Sequence, residues 1–89
     1  MEVTDNSAKN RFELNAGDHI AMAYYTLAPG IVTFTHTAVP KELSGQGIGT
    51  RLARGALEQV QARGLKVVAQ CPFIAAFIHK NPEFAGLLV

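Results

Sequence analysis

The stretch Ser44-Gly45-Gln46-Gly47-Ile48-Gly49-Thr50 decides how the rest of this chain is read. Three glycines in five residues cost backbone entropy, so helix propensity does not account for them. They stand directly before Ile48, Leu52, Ala56 and Val60, which recur every four residues with Ala53 and Leu57 beside them. That spacing predicts an amphipathic helix of about four turns. A helix N-terminus leaves N–H donors unpaired and carries about half a positive charge. A turn without side chains lets an anion approach those amides closely, so Gly45 to Thr50 reads as an anion cradle. A triphosphate-binding loop requires lysine before its hydroxyl residue, but Thr50 follows Gly49 directly. The dinucleotide fingerprint fits Gly45 and Gly47, yet Thr50 stands where its third glycine belongs, and no acidic residue closes the next strand near Gln70. The plain alternative is a glycine-rich helix cap that holds nothing.

Upstream of the turn the period is two. Arg11 to Asn15 places Phe12 and Leu14 on one face of a short strand. Asn15-Ala16-Gly17-Asp18 has turn chemistry, and His19 to Leu27 follows as a second strand with Ile20, Met22 and Tyr24 on one face. Ala28-Pro29-Gly30 fits a type II turn, leading to a β-branched third strand from Ile31 to Val39. The three form an antiparallel meander. Met1 to Lys9 reads as a flexible polar tail, with residues 10–89 as one domain.

Downstream, Gly64 after Arg63 stops the long helix, and Lys66 to Gln70 reads as a fourth strand. Strand, helix, strand implies a right-handed crossover, so the fourth strand runs parallel to the third. A second helix, Phe73 to Lys80, starts at Pro72 and ends at Asn81-Pro82. The apolar segment Phe84 to Val89 docks as a last strand or packs on the core. The fold class is α+β.

Composition narrows the function classes. The apolar fraction is 48% and the charged fraction 17%, which marks a folded domain. The net charge of +1, with scattered Lys and Arg, gives no footprint for nucleic acid or an anionic membrane. Cys71 is the single cysteine, so no disulfide framework or multi-cysteine metal site is expected. The polar start lacks a secretory pattern, and no apolar run approaches the ~20 residues of a membrane span. The expected location is the cytoplasm.

The segment Ser44 to Gly49 resembles the coenzyme A signature of the GNAT N-acetyltransferase superfamily, Arg/Gln-x-x-Gly-x-Gly/Ala at the start of a helix after a strand. Gly47, Ile48 and Gly49 fit it, while Ser44 replaces the usual Arg or Gln, which weakens a side-chain contact to the pyrophosphate and leaves the backbone cradle intact. The likeness extends to a compact GNAT-like subgroup. It is carried by Phe34-Thr35-His36-Thr37-Ala38-Val39-Pro40, by Gly64-Leu65-Lys66-Val67-Val68, and by Cys71-Pro72-Phe73 ahead of Asn81-Pro82-Glu83-Phe84. It implies a GNAT-like fold and an acetyltransferase with acetyl-CoA as co-substrate and a primary amine as acceptor. Pyrophosphate would lie on Gly45, Gln46, Gly47, Ile48, Gly49 and Thr50. The pantetheine arm would bond the main chain of Thr37, Ala38 and Val39, where two parallel strands splay apart. Val39-Pro40 agrees, since proline cannot donate to a sheet and marks the strand's end.

The same resemblance puts the thioester beside Cys71, as a nucleophile or general base; the bland reading is a small buried apolar residue. His36 shares a face with Val32 and Phe34 if the alternation is regular, which makes it a neighbour of Cys71 and a candidate base, against the bland reading of a satisfied rim residue. Where related enzymes carry a tyrosine acid, this chain has Phe77, so acid catalysis comes from Cys71, from water or from nowhere. Arg51 and Arg54 could reach phosphates or merely serve solubility, and His79, Lys80 and Asn81 are solvated surface or adenine-side contacts. Full-length relatives continue with strands that wall the acceptor site. The pocket here is therefore open, completed by a second copy in a homodimer, or suited to a flat acceptor such as a protein tail. A module that binds acyl-coenzyme A with little turnover is the competing reading.

Overall fold

The computed structural model describes residues 2–89. Among these residues five strands form one sheet in the order β1-β2-β3-β4-β5: Val3–Asn6, Arg11–Ala16, His19–Ala28, Ile31–Ala38 and Lys66–Ala69. The first four are antiparallel neighbours, and β5 runs parallel to β4. Two helices, α1 (Ile48–Ala62) and α2 (Pro72–Lys80), complete the α+β fold with three short 3-10 turns. The meander and the parallel strand are those the alternation and the crossover predict. Gly17 and Gly30 turn the chain with φ of +66° and +73°, a conformation that other residues adopt at a cost.

The core lies between one face of the sheet and both helices. Phe12, Leu14, Ala21, Ala23, Tyr25, Val32, Phe34 and Val67 face it from the sheet, and Leu52, Ala53, Ala56, Leu57 and Val60 from α1. In β3 the buried set is thus Ala21, Ala23 and Tyr25, while Ile20, Met22 and Tyr24 take the other face. Both sets alternate equally well, and the approach of a helix selected the one with two small residues. Gly64 ends α1 at φ +70°: its N–H bonds Gln61 C=O at 3.0 Å, and Leu65 N–H bonds Val60 C=O at 3.1 Å. That pair of bonds is the Schellman stop.

Residues 3–6 correct the reading of 1–9 as a tail; Met1 lies outside the described residues. Polar composition concealed β1 because its partners are distant in sequence. It pairs with β2 from Val3↔Leu14 to Asn6↔Arg11. Gln59 Nε2 donates to Val3 C=O at 2.6 Å, and Asp5 accepts from Tyr25 OH at 2.5 Å and from Arg63 Nη1 at 2.7 Å. At the other end, Pro82–Leu87 is a 3-10 turn that buries Phe84 and Leu87. The C-terminal segment both packs and pairs, since Leu88 bridges Val67 and Val89 N–H bonds Val67 C=O at 3.1 Å. Arg54 fastens this segment to α1. Its guanidinium lies 5.5 and 5.6 Å from the Phe77 and Phe84 ring centres and donates to Asn81 Oδ1 at 2.9 Å and Glu83 Oε2 at 3.3 Å. Among the described residues no helix is long and apolar enough to cross a membrane.

Two predictions follow from how β1 is held. A Cβ on Gly55 would lie 2.4 Å from Val3 Cγ2 and 2.7 Å from its Cβ. Alanine ordinarily stabilises a helix interior by about 1 kcal/mol over glycine. Here Gly55→Ala must push β1 off the helix, and the expected result is a net loss of roughly 1–2 kcal/mol in urea unfolding. Adding Val3→Ala should recover part of it. The second concerns Tyr25, whose phenol is pushed up to about 12, first by burial and then by its hydrogen bond to Asp5. A raised pKa means its contribution is complete below the unfolded value near 10 and is lost as pH rises toward 12. Unfolding free energy should therefore fall between those pH values by about 2 kcal/mol more in wild type than in Tyr25→Phe.

Candidate functional site

β4 and β5 pair only from Ile31↔Lys66 to Phe34↔Ala69. There the Phe34 carbonyl accepts two amides, Gln70 N–H at 3.0 Å and Cys71 N–H at 2.9 Å, and the β5 chain turns away into α2. β4 continues to Ala38, so its edge from Thr35 to Ala38 has no strand beside it on the β5 side. Backbone donors and acceptors on such an edge require partners, and an extended ligand can supply them.

The same four residues carry a bulge. Tyr25 pairs with Phe34 but Tyr24 pairs with His36, leaving Thr35 as the extra residue of β4. A bulge reverses the faces of everything that follows. His36 accordingly points away from the core, exposed and stacked on Tyr24 with ring centres 6.1 Å apart at 22°. The expected His36–Cys71 neighbourhood, which assumed unbroken alternation, does not form. Thr37 takes that place: its Oγ1 lies 3.1 Å from Cys71 Sγ. Cys71 is buried, 2% exposed, at the N-cap of α2. The Thr37 side chain is a site group that sequence reasoning missed, because no local signal marked the extra residue. On the helix-free face, Tyr24 also accepts from Arg11 Nη1 at 3.1 Å and donates to Met22 Sδ at 3.3 Å. Arg11 and Asn6 bond Glu13 Oε2 at 2.5 and 3.0 Å. Those bonds, Arg11 foremost, hold the Glu13 carboxyl below the usual carboxylate range.

Beyond Pro40, the 3-10 turn Lys41–Leu43 buries Leu43, which anchors the start of the glycine segment. Gly45 and Gly47 have φ of +79° and +71°, and a Cβ at either would meet nothing within 4 Å. Glycine is therefore required by the backbone conformation and leaves open space above the amides, rather than admitting a packed neighbour. Gly47 caps α1 without any side-chain hydrogen bond. The first helical bond is Arg51 N–H to Gly47 C=O at 3.1 Å, so the amides of Ile48, Gly49 and Thr50 precede the ladder. Ser44 bonds Lys41 C=O at 2.8 Å, and Gln46 Nε2 bonds Glu42 C=O at 3.3 Å. Both side chains are tied back to the 3-10 segment.

A cavity of about 280 Å³ lies on the turn, lined by Val39, Leu43, Ser44, Gly45, Gly47, Ile48, Gly49, Thr50 and Phe73. It runs from Val39, the residue after β4, to the cradle. Of the residues expected to hold coenzyme A, Thr37, Ala38 and Gln46 do not line it, and Phe73 does without having been expected. The Phe73 ring is seated on Gly49, where a Cβ would lie 2.9 Å from Cζ. A larger hollow of about 490 Å³ lies between β1 and α1, lined by Arg51 and Arg54 together with Glu2 and Glu58. Its charges are mixed and it lies away from the turn amides, so it offers no comparable anion chemistry. Arg51 opens on that hollow, and Arg54 is engaged with the C-terminal segment. Among the described residues no three His, Cys, Asp or Glu side chains gather as metal ligands.

Comparison with known proteins agrees with this geometry. The profile of the GCN5-related N-acetyl-transferase family matches residues 11–87. The NMR solution structure of a GCN5-like protein from Staphylococcus aureus shares the fold, with a TM-score of 0.74 at 24% identity, over 99% of this chain and 87% of that one. No curated protein matches the sequence. The family match runs from β2 through the C-terminal turn and takes in the cradle, the free edge of β4 and Cys71. On that match the chain belongs to the GCN5-related N-acetyl-transferase family and is an acetyltransferase of the acyl-coenzyme A-dependent kind.

Proposed function

We propose that this domain transfers acetyl from acetyl-CoA to a primary amine. The observation that carries the proposal is the open cradle of amides at Gly45 to Thr50, whose cavity reaches Val39, the residue that follows the unpaired edge of β4. Pyrophosphate lies on those amides and the helix N-terminus. Pantetheine extends from Val39 along the main chain of Thr37 and Ala38, bringing the thioester toward the fork between β4 and β5. The amine nitrogen attacks the carbonyl carbon, the oxyanion is met by a strand N–H, and the C–S bond breaks to release coenzyme A thiolate. The thiolate takes a proton from Cys71 or water, or leaves as the anion, since Phe77 has none to give. The attacking amine loses its proton to water or, if it arrives over the helix-free face, to His36. That face is flat and open, which suits a protein tail, with a second copy of the chain as the alternative wall.

The competing reading, an acyl-coenzyme A-binding module with little turnover, has its own support. Cys71 is enclosed, and His36 stands on the other side of the sheet, so no acid–base pair is assembled.

Asn and Asp both tolerate positive φ and differ by one charge, so substitutions at Gly47 separate strain from electrostatics. In calorimetric titration with acetyl-CoA, Gly47→Asn should weaken binding by a few-fold. Gly47→Asp should weaken it at least about tenfold more, because its carboxylate faces the pyrophosphate. Equal affinities would overturn the placement of the pyrophosphate. Intact-mass spectrometry after mixing with acetyl-CoA then tests transfer. One acetyl group gained on Cys71 and lost in Cys71→Ala establishes a covalent route. Acetylation of an added amine-bearing peptide that survives Cys71→Ala establishes direct transfer, and saturable binding with neither leaves the module reading.

A further inference from the structure

One register line crosses four strands on the helix-free face. Asn6 stands opposite Arg11, Arg11 opposite Tyr24, and Tyr24 opposite His36. The bulge brings His36 into that line in place of Thr35. Each step along it is a contact. Asn6 and Arg11 are joined through the Glu13 carboxylate, and Arg11 donates to Tyr24 OH at 3.1 Å with its guanidinium 5.7 Å from the ring centre. Tyr24 donates in turn to Met22 Sδ at 3.3 Å, and its ring carries the His36 imidazole at 6.1 Å and 22°. The other members of this line are half-buried, and His36, at its end, is exposed.

An exposed imidazole ordinarily exchanges among several rotamers. This one lies against a ring whose hydroxyl is fixed by one donor and one acceptor, and it belongs to the stretch of β4 that has no strand beside it on the β5 side. We propose that Tyr24 is a positioning residue for acetyl transfer, holding the His36 imidazole in one orientation at the free edge of β4, where it takes the proton of the attacking amine. The N–C bond forms, the C–S bond breaks, and the proton passes from the amine nitrogen to a ring nitrogen of His36. Arg11 and Glu13 are paired with one another, so the line supplies orientation and no net charge. The inference rests on the reading that the thioester lies along that edge and the acceptor arrives over the helix-free face.

Steady-state acetylation of an amine-bearing peptide by the full chain tests this. His36→Ala should lower kcat about a hundredfold, the low end for a general base. Tyr24→Ile suits a strand but offers no ring, and it should lower kcat roughly tenfold, against less than about threefold for Tyr24→Phe, with KM for acetyl-CoA unchanged. Added imidazole should restore part of the rate of His36→Ala and none of the rate of His36→Ala combined with Tyr24→Ile. A merely structural tyrosine would not produce that difference, and thermal unfolding near the wild-type midpoint shows that the variants are folded. In the NMR spectrum of the wild type, which needs no Tyr24 variant to fold, the His36 ring protons should lie upfield under the Tyr24 ring current. Their loss in His36→Ala identifies them. Equal rescue with and without the Tyr24 ring, wild-type kcat in Tyr24→Ile, or unshifted His36 protons would overturn the inference while His36 stands as the base. Wild-type kcat in His36→Ala would overturn the base and the inference with it. A wild type that binds acetyl-CoA and acetylates no amine would overturn the transfer reading on which both rest.

Discussion

The carbonyl oxygen of Phe34 accepts the amides of both Gln70 and Cys71, and the rest of the site depends on that shared acceptor. It closes the parallel ladder after four residue pairs and turns the β5 chain into α2, so β4 runs on alone. A lone strand edge is normally a liability in a small protein. In this one it opens beside the glycine turn, where an extended acyl carrier can satisfy it. The bulge at Thr35 follows directly and sorts the side chains of the fork, with Thr37 facing Cys71 and His36 facing Tyr24. One hydrogen-bonding choice and one extra residue thus fix which groups can meet a thioester.

Much of this fold is legible in the sequence because its signals are local. Period two and period four, Pro29-Gly30, Gly64 and Asn81-Pro82 each depend on neighbours a few residues away, and the elements they predict are present. What was hidden is non-local. β1 is polar and looks unstructured, yet Asp5 is held by Tyr25 and Arg63, which are 20 and 58 residues distant. The face of β3 that enters the core is likewise undecidable from alternation, since Ile20, Met22 and Tyr24 are the more hydrophobic-looking set. α1 packs against Ala21 and Ala23 because small residues admit a helix more closely.

The candidate site divides in the same way. The cradle was legible because glycine before a helix has a local physical meaning, and Gly45 and Gly47 adopt the positive φ that only glycine holds without cost. The expected His36–Cys71 pair does not form, because it rested on strict alternation through Thr35-His36-Thr37. Phe73 also escaped notice: an aromatic residue in the first turn of an apolar helix reads as core, yet it lies open over Gly49.

The division of the fork has a mechanistic consequence. A thioester lying along β4 can be approached from the core face, where Cys71 and Thr37 stand, or from the helix-free face, where His36 and Tyr24 stand. On the core face Cys71 is buried, so a nucleophile acting there would belong to the protein, and of the Cys71 thiol and the Thr37 hydroxyl the thiol is the stronger. The helix-free face is open to a macromolecule, but its groups are bound to one another: Tyr24 to Arg11 and Met22, and Glu13 to Arg11 and Asn6. A network whose charges are already matched does little to select an acceptor by charge. Choice of acceptor on that side then rests on shape and on what can lie flat across Tyr24 and His36. In the proposed arrangement the cofactor would be held by features built into the backbone, whereas the acceptor would meet only side chains that serve the sheet. On that arrangement the chain would specify its acyl carrier more sharply than the amine that receives the acyl group.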